Sequence, residues 1–247
     1  MIMKRIFLSI SIFSLALVSM PSCEVLNSVA NTVVTTPTKP SLTNDEVISG
    51  LKEALNVGIQ NSVNLSSITD GFWKNDLIKL PFPEDAMKVR QKAIEWGMTK
   101  KVEEFEMTLN RAAEEATKEA LPIFKDAILN MSIQDGFTIL KGGDGAATKF
   151  LRDNTTAKLT TAFSPKVKAA ISKVKLTEYW NPIMTKYNGA MTITGGEKVN
   201  PDLDKYVTER AITGLFKLVE IEENKIRKDP MARVSDILVK VFGSLAN

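Results

Sequence analysis

Histidine is absent from this chain of 247 residues, and cysteine occurs only once. Without histidine, Ser-His-Asp and Cys-His catalysis are excluded, as are zinc and haem sites with histidine ligands. A single cysteine excludes an internal disulfide and a cysteine-ligated metal cluster. The 32 basic and 29 acidic residues give a net charge of +3, which is too balanced to indicate nucleic-acid binding. Only carboxylate, lysine, tyrosine or hydroxyl chemistry is left, and we expect no cofactor and no metal.

The N-terminus has the pattern of an export signal. A short basic start precedes a mainly apolar run from Ile6 to Val18, which is shorter than the roughly 20 residues of a membrane span. The lone Cys23 follows the small residue Ser22, an arrangement that resembles a bacterial lipoprotein signal. We predict such a signal over residues 1–22 and lipidation at Cys23. A plain secretory signal, or a buried N-terminal helix with a chance cysteine, is the alternative.

The segment after the cysteine is rich in threonine, asparagine and proline and has only weak hydrophobic periodicity. We interpret residues 23–42 as the acylated cysteine and a flexible tether of roughly 25 Å average span. Two acyl chains would anchor the protein stably in a membrane. We therefore expect it in the cell envelope, with the outer membrane facing the periplasm favoured over the inner membrane.

Residues 43–247 have the periodicity of helices. Thr43 and Glu46 have the spacing of a capping box, and apolar residues then recur every three or four positions. A second cap signature begins at Ser132, and Pro122 is expected to kink or split a long helix. The pattern predicts an all-α fold: a single multi-helix bundle with little or no sheet.

The C-terminal part of this domain adds two expectations. A long helix is predicted from about residue 200 to about Lys228, and a shorter terminal helix after it, with Asp229 as its N-cap and Pro230 in its first turn. The segment 190–199, with its Thr-Ile-Thr-Gly-Gly sequence, is the only plausible strand or hairpin.

Many short blocks of sequence follow one another in a fixed order across residues 47–243. They are Gly50-Leu-Lys-Glu-Ala-Leu55, Gly71-Phe-Trp-Lys-Asn75, Leu80-Pro-Phe-Pro83, Asn110-Arg-Ala-Ala-Glu114, Asn130-Met-Ser-Ile-Gln-Asp135, Ile139-Leu-Lys-Gly142, Ala146-Ala-Thr148, Tyr206-Val-Thr-Glu209, Gly214-Leu-Phe216, Ile226-Arg-Lys-Asp-Pro230, Ala232-Arg233 and Val241-Phe-Gly243. The series resembles the bacterial family of unknown function DUF4197. The resemblance implies an exported helical envelope protein, often a lipoprotein, and supplies no catalytic residues.

Two charged regions and a glycine-rich turn are candidate sites. The run 141–145 (Lys-Gly-Gly-Asp-Gly) could hold an anion at a helix N-terminus, but we favour a turn with Asp144 capping the next helix.

Glu114 and Glu115 are expected on a solvated or paired helix face, in i,i+4 pairs with neighbouring basic residues. For these acids to act as a hydrolase, a second acid would have to face them across a cleft. The mixed charges of 220–233 are expected to form ion pairs that lock the last two helices.

Phe72 and Trp73 lie in a connector between helices rather than on a helical stripe. Packing in the core is the usual role of such aromatic residues, but they could also line a groove. They are our candidate ligand-binding residues. We favour a membrane-anchored binding module for an apolar or amphiphilic ligand or a protein partner. A ligand-free envelope scaffold is the alternative, and a carboxylate hydrolase is the least favoured; no catalytic residue is assigned.

Overall fold

The computed structural model describes residues 43–173, 176–199 and 202–244. The predicted signal, Cys23 and the tether all lie outside these residues. Within them the chain forms nine α-helices and no β-strand, which confirms the predicted all-α bundle. The helices are α1 (Asn44–Ser66), α2 (Met87–Glu95), α3 (Thr99–Thr117), α4 (Ala120–Leu129), α5 (Ile133–Lys141), α6 (Ala146–Lys173), α7 (Leu176–Thr194), α8 (Leu203–Lys228) and α9 (Asp236–Ser244).

Two predicted caps are confirmed. The Glu46 backbone N–H donates to the Thr43 hydroxyl (3.2 Å), and the Thr43 N–H donates to the Glu46 carboxylate (2.9 Å), so a complete capping box begins α1. Ser132 and Asp135 make the same reciprocal pair at the start of α5. The prediction for Pro122 is also confirmed, because the chain breaks between α3 and α4. Pro122 lies in the first turn of α4, where an N–H would have no acceptor within the helix.

The prediction of a strand or hairpin at 190–199 is wrong, because α7 continues to Thr194. The hydroxyls of Thr192 and Thr194 each donate to the carbonyl four residues earlier, so these β-branched residues are satisfied within a helix. Gly195 has a φ of +71°, and the N–H of the residue after it donates to the carbonyl of Met191. This is the pattern of a glycine-terminated helix, so the glycine pair ends α7 instead of turning a hairpin.

The predicted long C-terminal helix and shorter terminal helix are present as α8 and α9, but Asp229 does not cap α9. Its carboxylate accepts the N–H of Met231 (2.9 Å) and caps a single 3₁₀ turn, Pro230–Ala232. The terminal helix begins only at Asp236. The Asp-Pro pair therefore starts a turn, and α9 follows after three further residues.

The core is built around α8, which contacts α1, α3 and α6. At one end of the bundle the chain enters at Thr43, where α4, α5 and α9 surround the first half of α1; Glu46 there pairs with Lys240 of α9. At the other end α8 begins, and Tyr206 donates its hydroxyl to the carbonyl of Pro81 (2.7 Å). Trp180 is buried in the core, and its ring stacks on Phe105 at 4.5 Å between centroids.

A helix that spans a membrane requires both length and apolarity. Over residues 43–173, 176–199 and 202–244, no helix is both long enough and apolar enough to cross a bilayer.

Candidate functional site

The connector between α1 and α2, residues 67–83, lies against α3 and α8 without regular secondary structure. Phe72 anchors it, because its side chain is fully buried in the core. The closest approach is at Gly214 of α8, where a Cβ atom would lie only 2.8 Å from the Phe72 ring and 3.1 Å from Ile78. A side chain at position 214 would therefore push the connector away from α8.

Glu114 of α3 holds the same part of the connector through its backbone. Its Oε1 atom accepts the N–H groups of Phe72 (3.1 Å) and Trp73 (3.2 Å), and Oε2 accepts a hydrogen bond from Arg111 (2.8 Å). The side chain is buried and paired with Arg111, so of the two expected alternatives the paired face is present and the solvated face is not. The predicted i,i+4 pairing is wrong, because Lys118 pairs with Glu115 three residues earlier.

Arg111 joins Glu114 to Asp70 at the start of the connector. Partial burial alone would lower the pKa of Arg111, but its bonds to Glu114 and Asp70 outweigh burial and raise that pKa. Hydrogen bonds from Lys74 and Arg111 lower the pKa of Asp70. Asp70 has a φ of +70°, a conformation that residues other than glycine adopt at an energetic cost. The ion pairs therefore hold a strained backbone position in place.

Asn110, one residue before Arg111, fixes the other end of the connector. Its Oδ1 atom accepts the N–H of Leu80 (2.8 Å), and its Nδ2 atom donates to the carbonyl of Leu80 (3.0 Å). The side chain is fully buried. Sequence reasoning missed Asn110, although it opens the block Asn-Arg-Ala-Ala-Glu that carries part of the resemblance. The signal that could have found it is its spacing from Glu114, because residues four apart lie on the same face of a helix.

The connector directs some apolar side chains outward. Ile68 is 56% exposed and Leu77 is 65% exposed. Trp73 is half-buried, with the Lys79 ammonium 3.7 Å from its ring centroid. The two candidate ligand-binding residues thus face different environments, since Phe72 is part of the core and only Trp73 reaches the surface.

A polar cleft of about 200 Å³ borders the connector. Its lining consists of Ser67, Thr69, Arg111, Glu114, Glu115, Lys118 and Ala170. Asp70 is the acid that approaches Glu114 from the connector, and Arg111 lies between their carboxylates and binds both. A hydrolase would need two acids free to reach a substrate, so this geometry does not support paired-carboxylate chemistry.

The glycine-rich run 141–145 is the predicted turn, with positive φ at Gly143 and Gly145. The residue before α6 is Gly145, whereas Asp144 pairs with Lys228, so the predicted cap by Asp144 is wrong. The N-terminus of α6 does bind a negatively charged group, but this group is a carboxylate side chain of the protein itself. Buried Glu223 of α8 accepts the N–H groups of the second and third residues of α6, at 3.0 and 2.8 Å.

The charges of 220–233 form fewer links between the last helices than expected. Glu223 and Arg227 form an ion pair within α8 (2.9 Å), and Arg227 also donates to the carbonyl of Ile139 (3.0 Å) and so connects α8 to α5. At the corner after α8, buried Arg233 donates to two carbonyls of that helix, those of Ile226 and Arg227. The network mainly joins α8 to earlier helices.

A small pocket lies between α1, α6, α8 and α9. Its volume is about 20 Å³, and its lining is mostly apolar apart from Glu223 and Arg227. A space of this size holds about one water molecule. Among the described residues, no group of three or more Asp, Glu, His or Cys side chains is arranged to hold a metal ion.

A family model, "Protein of unknown function (DUF4197)", matches residues 41–243, which is most of the chain. The chain belongs to the DUF4197 family. Searches of curated proteins and of solved structures found no match. In this DUF4197 chain, two buried carboxylates join four of the sequence blocks that carry the resemblance. The block ending at Glu114 holds the block 71–75, and Glu223 joins the block 146–148 to the block containing Arg227.

Proposed function

We propose that this DUF4197 protein is a lipid-anchored binding module of the bacterial cell envelope, and that its partner is a protein that docks on the connector 67–83. One observation carries the proposal: a segment without regular structure is braced from inside by buried side chains while apolar residues on it face outward.

Bracing favours binding because it removes an entropic cost. The backbone is fixed at Phe72 and Trp73 by Glu114, and at both polar groups of Leu80 by Asn110. Each loop residue that is already ordered does not have to be ordered when a partner binds. The strained backbone of Asp70 is consistent with a binding role for the connector, because strained backbone conformations cluster at functional sites.

The exposed chemistry of the connector suits a protein partner. Ile68 and Leu77 offer aliphatic contact, and the half-buried Trp73 is of the residue type that most often dominates protein interfaces. Lys74 and Lys79 supply a polar surround. An apolar ligand held between α1, α6, α8 and α9 has less support, since the mostly apolar pocket there has room for about one water.

The anchor is proposed from the sequence and from the family resemblance. Replacing Cys23 with Ala and fractionating the cells tests it, together with the mass of the wild-type N-terminal peptide. We expect acylated wild type in the membrane fraction and loss of Cys23→Ala from that fraction. Equal membrane binding of both forms, with no acyl mass on the wild type, would refute the anchor.

The docking surface is tested by placing a photo-crosslinking amino acid at Leu77 in the full chain, in its own cells. Ile193, at 88% exposure on the end of α7, is the matched control site. We expect a discrete protein adduct from position 77 and none from position 193. No adduct at 77, a lipid adduct there, or the same adducts at both sites would contradict a protein partner on the connector.

A further inference from the structure

We propose that the turn between α4 and α5 rests on the membrane that holds the anchor, with Leu129 and Ile133 inserted at the boundary between lipid headgroups and acyl chains. The inference deepens the proposed function and rests on the proposed acylation of Cys23. It concerns orientation: an acyl anchor alone does not decide which side of the bundle faces the bilayer.

The turn presents an uncharged apolar surface. Residues 127–134 (Ala-Ile-Leu-Asn-Met-Ser-Ile-Gln) contain no charged side chain, and within them Leu129 is 73% exposed and Ile133 is 51% exposed. Buried Met131 lies between them and fixes the turn to the core. The capping box of Ser132 fixes the start of α5, so both exposed side chains are held on a rigid base.

The turn lies at the end of the bundle where the chain enters. The Lys52 ammonium donates to the carbonyl of Leu129 (3.0 Å), and Lys52 follows Thr43 by only two and a half turns of α1. Gly136 of α5 packs so closely on Ile48 of α1 that a Cβ atom would have no room there, which brings the start of α5 to the same end.

The length of chain before Thr43 selects a bilayer as the occupant of this surface. The proposed tether, residues 24–42, would span roughly 25 Å on average as a coil. An acylated Cys23 would therefore keep the entry end of the bundle within reach of the lipid surface. The opposite end, where α8 begins beside Pro81, would point away from that membrane.

Nearby charges allow this contact. The acid that precedes the turn, Asp126, pairs with Lys158 (2.8 Å), and Glu46 pairs with Lys240. Asp135, directly after the turn, is held in the capping box of Ser132. The exposed Asp45 and Glu53 of α1 are matched in number by the cationic Lys52 and Lys125. A nearly balanced surface with two exposed aliphatic side chains suits a mainly zwitterionic bilayer, and its contact should depend little on salt.

The lone cysteine makes a direct test possible. Once Cys23 is acylated, a thiol introduced by Leu129→Cys or Ile133→Cys is the only one available for an environment-sensitive dye. Ile193→Cys is the matched control, at an exposed isoleucine on the end of α7. Each acylated full chain is placed in vesicles of phosphatidylethanolamine with a minority of phosphatidylglycerol. Some of the lipids carry nitroxide quenchers in their acyl chains.

We expect blue-shifted emission and quenching by the nitroxide lipids at positions 129 and 133, and neither at position 193. If the chain is acylated and floats with the vesicles but all three positions behave alike, this inference is wrong while the anchor stands. If mass spectrometry finds no acyl group and the chain does not float with vesicles, the anchor has failed and this inference fails with it.

Discussion

Glu114 and Glu223 make closely similar contacts in two different parts of the core. Each is a buried carboxylate that accepts two consecutive backbone N–H groups from another segment and a hydrogen bond from an arginine of its own helix. Glu114 fastens the connector to α3, and Glu223 fastens the start of α6 to α8. Both acids therefore act as fixed parts of the fold, which explains why neither is free for catalysis.

Removing the Glu114 carboxylate should destabilise the protein strongly. Glu114→Ala leaves two buried N–H groups and the Arg111 guanidinium without their acceptor, so we expect a loss of about 3–5 kcal/mol in the free energy of unfolding. Glu114→Gln keeps an oxygen acceptor and should cost less, about 1–2 kcal/mol. Urea unfolding followed by circular dichroism measures both.

The neighbouring acid provides the control for this prediction. Glu115 is exposed and pairs with Lys118, so Glu115→Ala should change the free energy of unfolding by less than about 1 kcal/mol. Similar losses for Glu114→Ala and Glu115→Ala would mean that the connector is not held through Glu114.

Two helical glycines should respond oppositely to alanine. Gly214→Ala brings a methyl group within 2.8 Å of the Phe72 ring, and we expect a loss of about 1–3 kcal/mol as the connector is displaced. Gly189→Ala in α7 meets no atom within 4 Å and should stabilise the protein by about 0.5–1 kcal/mol through helix propensity. Thermal unfolding of the two variants would distinguish them, and equal shifts would contradict the close packing at Gly214.

Leucines with opposite exposure give a test of the core. Leu215 of α8 is fully buried, so Leu215→Ala should cost about 2–5 kcal/mol. Leu129 is largely exposed, so Leu129→Ala in detergent-free buffer should change the free energy of unfolding by less than about 0.5 kcal/mol. A small effect at Leu215 would show that α8 presents a different face to the core.

Acid should weaken the contact between α1 and α9. The hydrogen bond from Lys240 and then those from Thr43 lower the pKa of Glu46 from 4.5 to about 2. A carboxyl whose pKa is lower in the folded state stabilises the fold above its unfolded pKa, and this contribution is lost as the pH falls from 4.5 towards 2. Unfolding measured over that range should depend less on pH in Glu46→Gln than in the wild type. Glu53 is an exposed acid of the same helix. An equally reduced pH dependence of unfolding in Glu53→Gln would contradict the assignment to Glu46.

Local signals predicted much of the fold. The caps at Thr43 and Ser132 and the break before Pro122 depend on residues close in sequence, and all three are present. The segment 190–199 misled prediction because Thr-Ile-Thr favours strands locally, whereas the hydroxyls of its threonines are satisfied by carbonyls within α7.

The partners of the buried acids could not be predicted. Glu114 bonds to residues about 40 positions earlier, and Glu223 to residues about 75 positions earlier. Spacing along one helix suggests only i,i+3 and i,i+4 partners, so it predicts a solvated or paired face for Glu114 and ion pairs at the end of α8 for Glu223. The polarity of Asn110 gave no indication of burial, because the groups that it satisfies belong to another segment.

The central claim is that Glu114 holds the connector in one conformation, and amide hydrogen exchange of the full chain tests it most directly. Phe72 and Trp73 have no helix or sheet to protect their N–H groups, so protection there can come only from the Glu114 carboxylate and burial. We predict exchange at both amides nearly as slow as in α3, and fast exchange in Glu114→Ala measured under conditions where that variant remains folded. Fast exchange of both amides in the wild type would show a mobile connector and contradict the account.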